Sequence, residues 1–280
     1  GGEVSDLGIT VVGMQAAGGV VGFVEQNARI NSGNGCSARC DNEAAGGIVG
    51  KIAKYAEVTV KGKSDINDDK FATGGDATTI KGSAGGVVGY MNDGMIQAGI
   101  GGTAYSTSGV SGGVVGYMEN GTISNAVSSG NNSEHISPSG YGAVSDYGTA
   151  GGIVGLLKNG QVNGGESLGP AYIRSRSGAN EDNKAKLGGI VGDMENGSIN
   201  NINVIGWVNG NRNAYYVGGL VGHMSGGSVS GGFVHERSTI DAYYAAGGAV
   251  GFMKGSSTIS RGILSYKNVS AGSHAGGIVG

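Results

Sequence analysis

Apolar residues and glycines along the chain fall into one recurring string, Gly-Gly-apolar-Val-Gly. It begins at Gly18, Gly46, Gly85, Gly112, Gly151, Gly188, Gly218, Gly247 and Gly276. The fourth residue is valine in every copy: Val21, Val49, Val88, Val115, Val154, Val191, Val221, Val250 and Val279. After the closing glycine comes a mixed position, held by Phe23, Lys51, Tyr90, Tyr117, Leu156, Asp193, His223 and Phe252. The next position is always apolar, from Val24 and Ile52 to Met224 and Met253. Turn pairs such as Asp93-Gly94, Asn120-Gly121, Asn159-Gly160 and Asn196-Gly197 follow; these residue types tolerate positive φ. Two residues on, Ile96, Ile123, Val162, Ile199 and Val229 return between polar neighbours. Alternation of this period, bounded by turn residues, predicts short strands. No 11-residue segment keeps an apolar stripe at helical spacing free of glycine, so no helix is expected.

The intervals between copies are 28, 39, 27, 39, 37, 30, 29 and 29 residues. The short ones define the unit, and the long ones carry insertions of about ten residues. Each unit predicts two or three strands separated by glycine-rich corners. At roughly 3.3 Å per residue, such a unit makes one turn of a superhelix. The expected fold is therefore all-β: a single parallel β-solenoid over residues 1–280, with eight to nine coils of about 28–30 residues. Valine and isoleucine would fill the bore. The polar segments 27–44, 53–70, 130–148 and 168–186 are expected as loops leaving at corners, where insertions are tolerated. One conflict stands out. Strict alternation would turn the unvarying valine outward, unless a bend at the central glycine resets the phase or the valines form a second buried surface.

The core Gly219-Leu220-Val221-Gly222, with its eight variants and the Asn-Gly turn that follows, resembles the GLUG repeat, named for Gly-Leu-x-Gly. The resemblance runs from Gly18 to Gly280. Lys51, Asp193, His223 and Ala249 depart from it. GLUG repeats occur in bacterial surface proteins, including adhesins and the non-catalytic regions of zinc-class immunoglobulin A peptidases. What the resemblance implies is an extracellular or cell-surface solenoid without a fixed ligand.

Composition narrows the remaining possibilities. The chain has 280 residues, 62 of them glycine, and only 14% are charged. Collagen is excluded, since there is no Gly-X-Y period and only Pro138 and Pro170 supply proline. No apolar run reaches the roughly 18 residues of a membrane span. The formal charge is −3 and the basic residues are scattered singly, which predicts no nucleic-acid partner. Cys36 and Cys40 sit four apart, a spacing compatible with a local disulfide, two free thiols or half of a metal site.

Candidate chemistry is thin, and no catalytic residue, cofactor or metal ligand is expected. His135, His223, His235 and His274 are far apart in sequence, and His235-Glu236 lacks the second histidine of a zinc helix. Gly109-Val110-Ser111-Gly112-Gly113 spells a nucleophile elbow without the helix that should follow. Gly99-Ile100-Gly101-Gly102-Thr103-Ala104 imitates a dinucleotide loop in the same way. Asp65, Asn67, Asp68 and Asp69 cluster without the glycine and glutamate of a calcium loop. The tyrosines are more suggestive. Tyr215-Tyr216 and Tyr243-Tyr244 precede motifs while Tyr90 and Tyr117 follow them, so a stacked ladder would either pack a sheet or offer a sugar-binding stripe. Three functions compete. One is a non-catalytic stalk, fibre or filament that self-associates or continues into neighbouring repeats end to end, as a chain beginning and ending inside its repeat would. Another is an adhesin binding a glycan or protein receptor through the insertions or the tyrosines. The third is the non-catalytic arm of a zinc peptidase.

Overall fold

A bend inside the motif resolves the conflict over the valines. In the computed structural model, whose described residues are 10–25, 28–32, 35–53, 56–60, 74–128, 142–167, 171–173, 180–234, 238–265 and 268–280, each of the first eight copies of the motif ends one strand and starts another, and the ninth ends a strand at Gly276 with Val279 bridged to Val250. In the second copy the strand Ala44–Gly46 stops at the first glycine, the chain bends through Gly47 and Ile48, and the strand Val49–Ile52 begins on the valine. The same bend occurs in all nine copies. It resets the alternation, so Ile48, Val49 and Ile52 all point into the core and are fully buried, while Lys51 is only half-buried.

The described chain is all-β, with parallel sheets, and contains no helix. Three large sheets of seven, nine and 14 strands carry the architecture. The nine-stranded sheet consists of the three-residue strands that end on the first motif glycine, paired copy against copy in sequence order. Its register sets Gly18 beside Gly46, Gly46 beside Gly85 and Gly85 beside Gly112. The 14-stranded sheet holds the strands that start on the valine and the strands after the turn, joined through the two long strands Val88–Gly101 and Val115–Ser128. The seven-stranded sheet runs from Thr10–Val12 to Val208–Asn209. Like therefore lies beside like at every step.

Motif corners are tied together as closely as the strands. The carbonyl of the third motif residue accepts two N–H groups from the copy before it: Val87 O takes those of Ile48 and Val49 at 3.0 and 2.9 Å, and Val114 O takes those of Val87 and Val88 at 2.9 and 3.0 Å. The pattern continues to Ile278 O, which accepts from Ala249 and Val250 at 2.9 and 3.0 Å. A buried bend would otherwise strand these donors, at a cost of about 1–3 kcal/mol for each one left unsatisfied.

Close approach explains why the motif glycines recur. None of them has positive φ, in contrast to the turn glycines Gly94, Gly121, Gly197 and Gly227. A Cβ on Gly112 would stand 1.9 Å from the carbonyl oxygen of Val115, across the bend. One on Gly116 would stand 2.7 Å from Gly89 O and 2.8 Å from the backbone of Ala84. The motif is thus a place where three backbones touch.

The largest core cluster is a column of motif residues, the apolar position after the mixed one (Met91, Met118, Leu157, Met194, Met224) and the apolar residues beyond the turn, with a smaller alanine-rich cluster around Cys40 and another at Tyr215 and Tyr216. A second bend forms at residues with positive φ that stack from copy to copy: Asn125 (52°), Gly164 (63°), Asn201 (52°) and Gly231 (67°). Serines close another corner, where Ser106 Oγ and Ser145 Oγ accept the N–H groups of Gly109 and Gly148 at 2.8 and 2.9 Å. Among the described residues no helix is long and apolar enough to cross a membrane.

The segments expected as loops are corrected in part. Residues 27–44 contain the strands Arg29–Ser32 and Ser37–Arg39, and 53–70 contains Ala56–Val60. Ala143–Ser145 and Ala171–Ile173 lie within 130–148 and 168–186. Three residues with a neighbour on each side suffice for a rung of a sheet, and so short a strand shows no alternation to read. Residues 61–70, 130–141, 168–170 and 174–179 lie outside the described residues.

Candidate functional site

The strand that starts on each motif valine turns its third residue, the mixed position, outward. Opposite it stands the first residue of the preceding three-residue strand: Ala44, Ser83, Val110 and Thr149, then Lys186 and Tyr216. The closing glycine between the two lets the strands lie close, and a groove forms where they diverge. Three concavities of about 780, 430 and 440 Å³ follow this line along the molecule. Glu43 and Lys51 border both the first and the second, and Gly109 and Val110 border both the second and the third. They are one groove. Its floor runs in unbroken register from Phe23 through Lys51, Tyr90 and Tyr117. It continues through Leu156, Asp193 and His223 to Phe252. Seven steps of about 4.8 Å give a length of about 34 Å.

In the first half the aromatic rings are buttressed by charge. Tyr90 Oη donates to Glu119 Oε2 at 2.5 Å, and Lys158 Nζ lies 3.5 Å from Glu119 Oε1. Lys51 Nζ sits 5.2 Å from the Tyr90 ring centroid, and Tyr117 meets Tyr90 edge-on at 5.1 Å. Burial, followed by the hydrogen bond to Glu119, pushes the Tyr90 hydroxyl far above the usual phenol value, so it stays a donor. Burial raises that of Tyr117 as well.

The second half is organised around Asp193. Its carboxylate accepts a hydrogen bond from Lys186 Nζ, and its Oδ1 lies 2.7 Å from His223 Nδ1. Burial pushes this carboxyl up, but the His223 hydrogen bond and the Lys186 charge outweigh it and leave it below the ordinary carboxylate value. An ionised carboxylate only accepts, so His223 carries a proton on Nδ1. The imidazole packs against two rings that also pack on each other, with Tyr216 at 5.5 Å and Phe252 at 5.7 Å, and Tyr216 and Phe252 themselves 4.8 Å apart. Behind Tyr216, Tyr215 stacks on Tyr244 at 4.8 Å and donates to Glu181 Oε1 at 2.6 Å.

The expected tyrosine ladder is therefore two separate groups, Tyr90 with Tyr117 and Tyr215, Tyr216 with Tyr244, while Tyr243 is half-exposed. Ser111 lies in a strand, fully buried, with its hydroxyl directed at Thr149 O at 3.4 Å, an inaccessible position for a nucleophile. Gly99 and Gly101 lie inside the strand Val88–Gly101. Cys36 and Cys40 are buried free thiols. The extended strand Ser37–Arg39 between them holds their Cα atoms about 13 Å apart, beyond the roughly 7 Å reach of a disulfide. Among the described residues no group of three or more His, Cys, Asp or Glu is placed to hold a metal ion. His135, His235 and the cluster Asp65, Asn67, Asp68 and Asp69 lie outside the described residues.

Two features escape a linear reading. The Lys186–Asp193–His223 group draws on two copies of the repeat; Asp193 and His223 hold the same motif position in consecutive copies, a signal from which their pairing could have been found. The groove also gathers Lys51, Lys81, Lys184, Lys186 and Lys254 against Glu43 at its border and Asp193 on its floor. Basic residues that are scattered along the sequence become neighbours once copies stack. No protein-family model matches the chain, and neither a curated protein nor a solved structure matches it.

Proposed function

We propose that the chain is a parallel β-solenoid of GLUG-like repeats that serves as a non-catalytic structural scaffold, a stalk or fibre segment held outside the cell. The observation that carries this reading is the copy-to-copy register. Nine motif copies follow one another, successive copies paired throughout, and the corner carbonyl of every copy from the second to the ninth binds two N–H groups of the copy before it. An arrangement that repeats only nearest-neighbour contacts suits a rod. The extracellular setting rests on the resemblance of Gly219-Leu220-Val221-Gly222 and its variants to GLUG repeats.

Electron microscopy and small-angle scattering across a concentration series test the scaffold. Eight spacings of about 4.8 Å predict a rod roughly 40 Å long. Fibres lengthening with concentration would add end-to-end association to the function. A spherical particle would overturn the solenoid.

A second reading, an adhesive surface for a glycan or protein receptor, is favoured by the groove. Scaffolding alone asks nothing of a continuous cleft whose floor is aromatic and whose border is cationic.

A further inference from the structure

We infer that the groove binds a linear polysaccharide carrying acid groups, with the chain lying along the stack axis. The inference rests on the adhesive reading and names its ligand class. Length is the first argument: a continuous cleft of about 34 Å fits an extended polymer rather than a small molecule. Charge is the second. Five lysines line the groove against Glu43 and the floor residue Asp193, which engages Lys186, in a chain whose formal charge is −3. Among the described residues Lys51, Lys81 and Lys254 have no carboxylate partner, and Lys81 and Lys254 are exposed. The cations sit in both halves of the cleft, as a polyanion requires.

The rings exclude one class of polyanion. Single-stranded nucleic acid binds by stacking its bases on free aromatic faces. Here Tyr216, His223 and Phe252 pack against one another, with interplanar angles of 9–26° and centroids 4.8–5.7 Å apart. Of the floor rings only Phe23, at one end, is exposed, too few to stack successive bases. The backbone argues against a peptide. Peptides dock on sheets by adding a strand to a free edge, whereas the strands flanking the groove are paired on both sides along its length, as Ser83–Gly85 is with its neighbours. Ammonium groups and the hydroxyls of Ser83 and Thr149 remain, and these match the carboxylates and hydroxyls of an acidic sugar chain.

The test uses the full chain with four probes: a long polygalacturonate oligosaccharide, its methyl-esterified neutral counterpart, oligo-dT and poly-glutamate. Polygalacturonate is expected to bind, more weakly as salt rises, and the esterified form to bind at least about tenfold more weakly. The double variant K81A/K254A should lose about tenfold in affinity for polygalacturonate. Equal binding of the esterified form, tighter binding of oligo-dT or poly-glutamate, or an unaffected lysine variant would each overturn the inference. A protein that keeps its rod-like scattering profile yet binds none of the four probes also overturns it, while leaving the scaffold intact; a lost rod profile strikes at the fold instead.

Discussion

Two adjacent columns of the same strands behave in opposite ways. The motif valines repeat without variation, while two residues further on the groove floor changes from Phe23 to Lys51, Tyr90, Leu156, Asp193 and His223. Both columns are stacked in identical register, so backbone pairing does not distinguish them. Surroundings do. From Val49 to Val250 the valines are fully buried against the same column above and below, where a larger residue finds no room and a smaller one leaves a cavity. The floor faces a cleft, and a residue there need only be compatible with its two neighbours. Constancy along a column therefore marks what holds the stack together, and variation marks what the surface can recognise.

The sharpest way to break the constant column is Gly112→Ala. Its Cβ would stand 1.9 Å from Val115 O and 2.6 Å from the N of Gly155, backbone atoms that no rotamer change can move. A loss of about 4–5 kcal/mol is expected, at the top of the range for single substitutions, visible as a large drop in the urea midpoint. A smaller loss would mean the corner relaxes easily and the glycines are not there for close approach. Next comes a comparison inside one strand. Leu157 is fully buried in the core and Leu156 is half-buried on the groove floor. Leu157→Ala should cost about 3 kcal/mol and Leu156→Ala about 1 kcal/mol or less. Equal costs by denaturation would erase the distinction between the two columns.

Much of the inward column was readable before any coordinates. The period, the all-β class and the burial of Ile48, Met91 and Ile123 follow from nine copies compared with one another. The phase at the valine was not readable, because a two-residue bend at Gly47 and Ile48 leaves no mark on an alternation pattern. Strands such as Ser37–Arg39 and Ala143–Ser145 were hidden for a related reason: three residues flanked by polar sequence look like loop, and only their partners above and below make them strands. The groove was the least legible feature. Lys51 and Lys81 lie 30 positions apart, and Lys186 and Lys254 lie 68 apart. Their shared surface appears only when each copy is laid beside the next.

Asp193 probes the variable column where it is most buried. Its folded-state pKa lies below the ordinary 3.8, so the stabilisation it provides is complete above that value and is lost as pH falls through the lower, folded one. Asp193→Asn should cost about 2 kcal/mol at neutral pH, the range for hydrogen bonds to a charged group. The gap between wild type and variant should close below about pH 3.8. A gap that stays constant from neutral pH to pH 3 would show that packing alone, not the Lys186 ion pair and the His223 hydrogen bond, holds this part of the floor.

The smallest effect on stability carries the most weight for recognition. Lys254 is exposed at the border of the groove, so Lys254→Ala should change stability by less than about 0.5 kcal/mol. Lys186→Ala differs, since it leaves Asp193 buried beside His223 with one partner fewer and should behave more like the aspartate variant. The two lysines border the same cleft, yet one completes the internal charge balance and the other faces solvent. Urea titrations of both variants, run beside polygalacturonate binding, separate these roles. Lys254→Ala should lose affinity at unchanged stability, whereas Lys186→Ala should lose both. If Lys254→Ala instead destabilises the fold as Lys186→Ala does, the border of the groove belongs to the scaffold, and variation along a column no longer signals recognition.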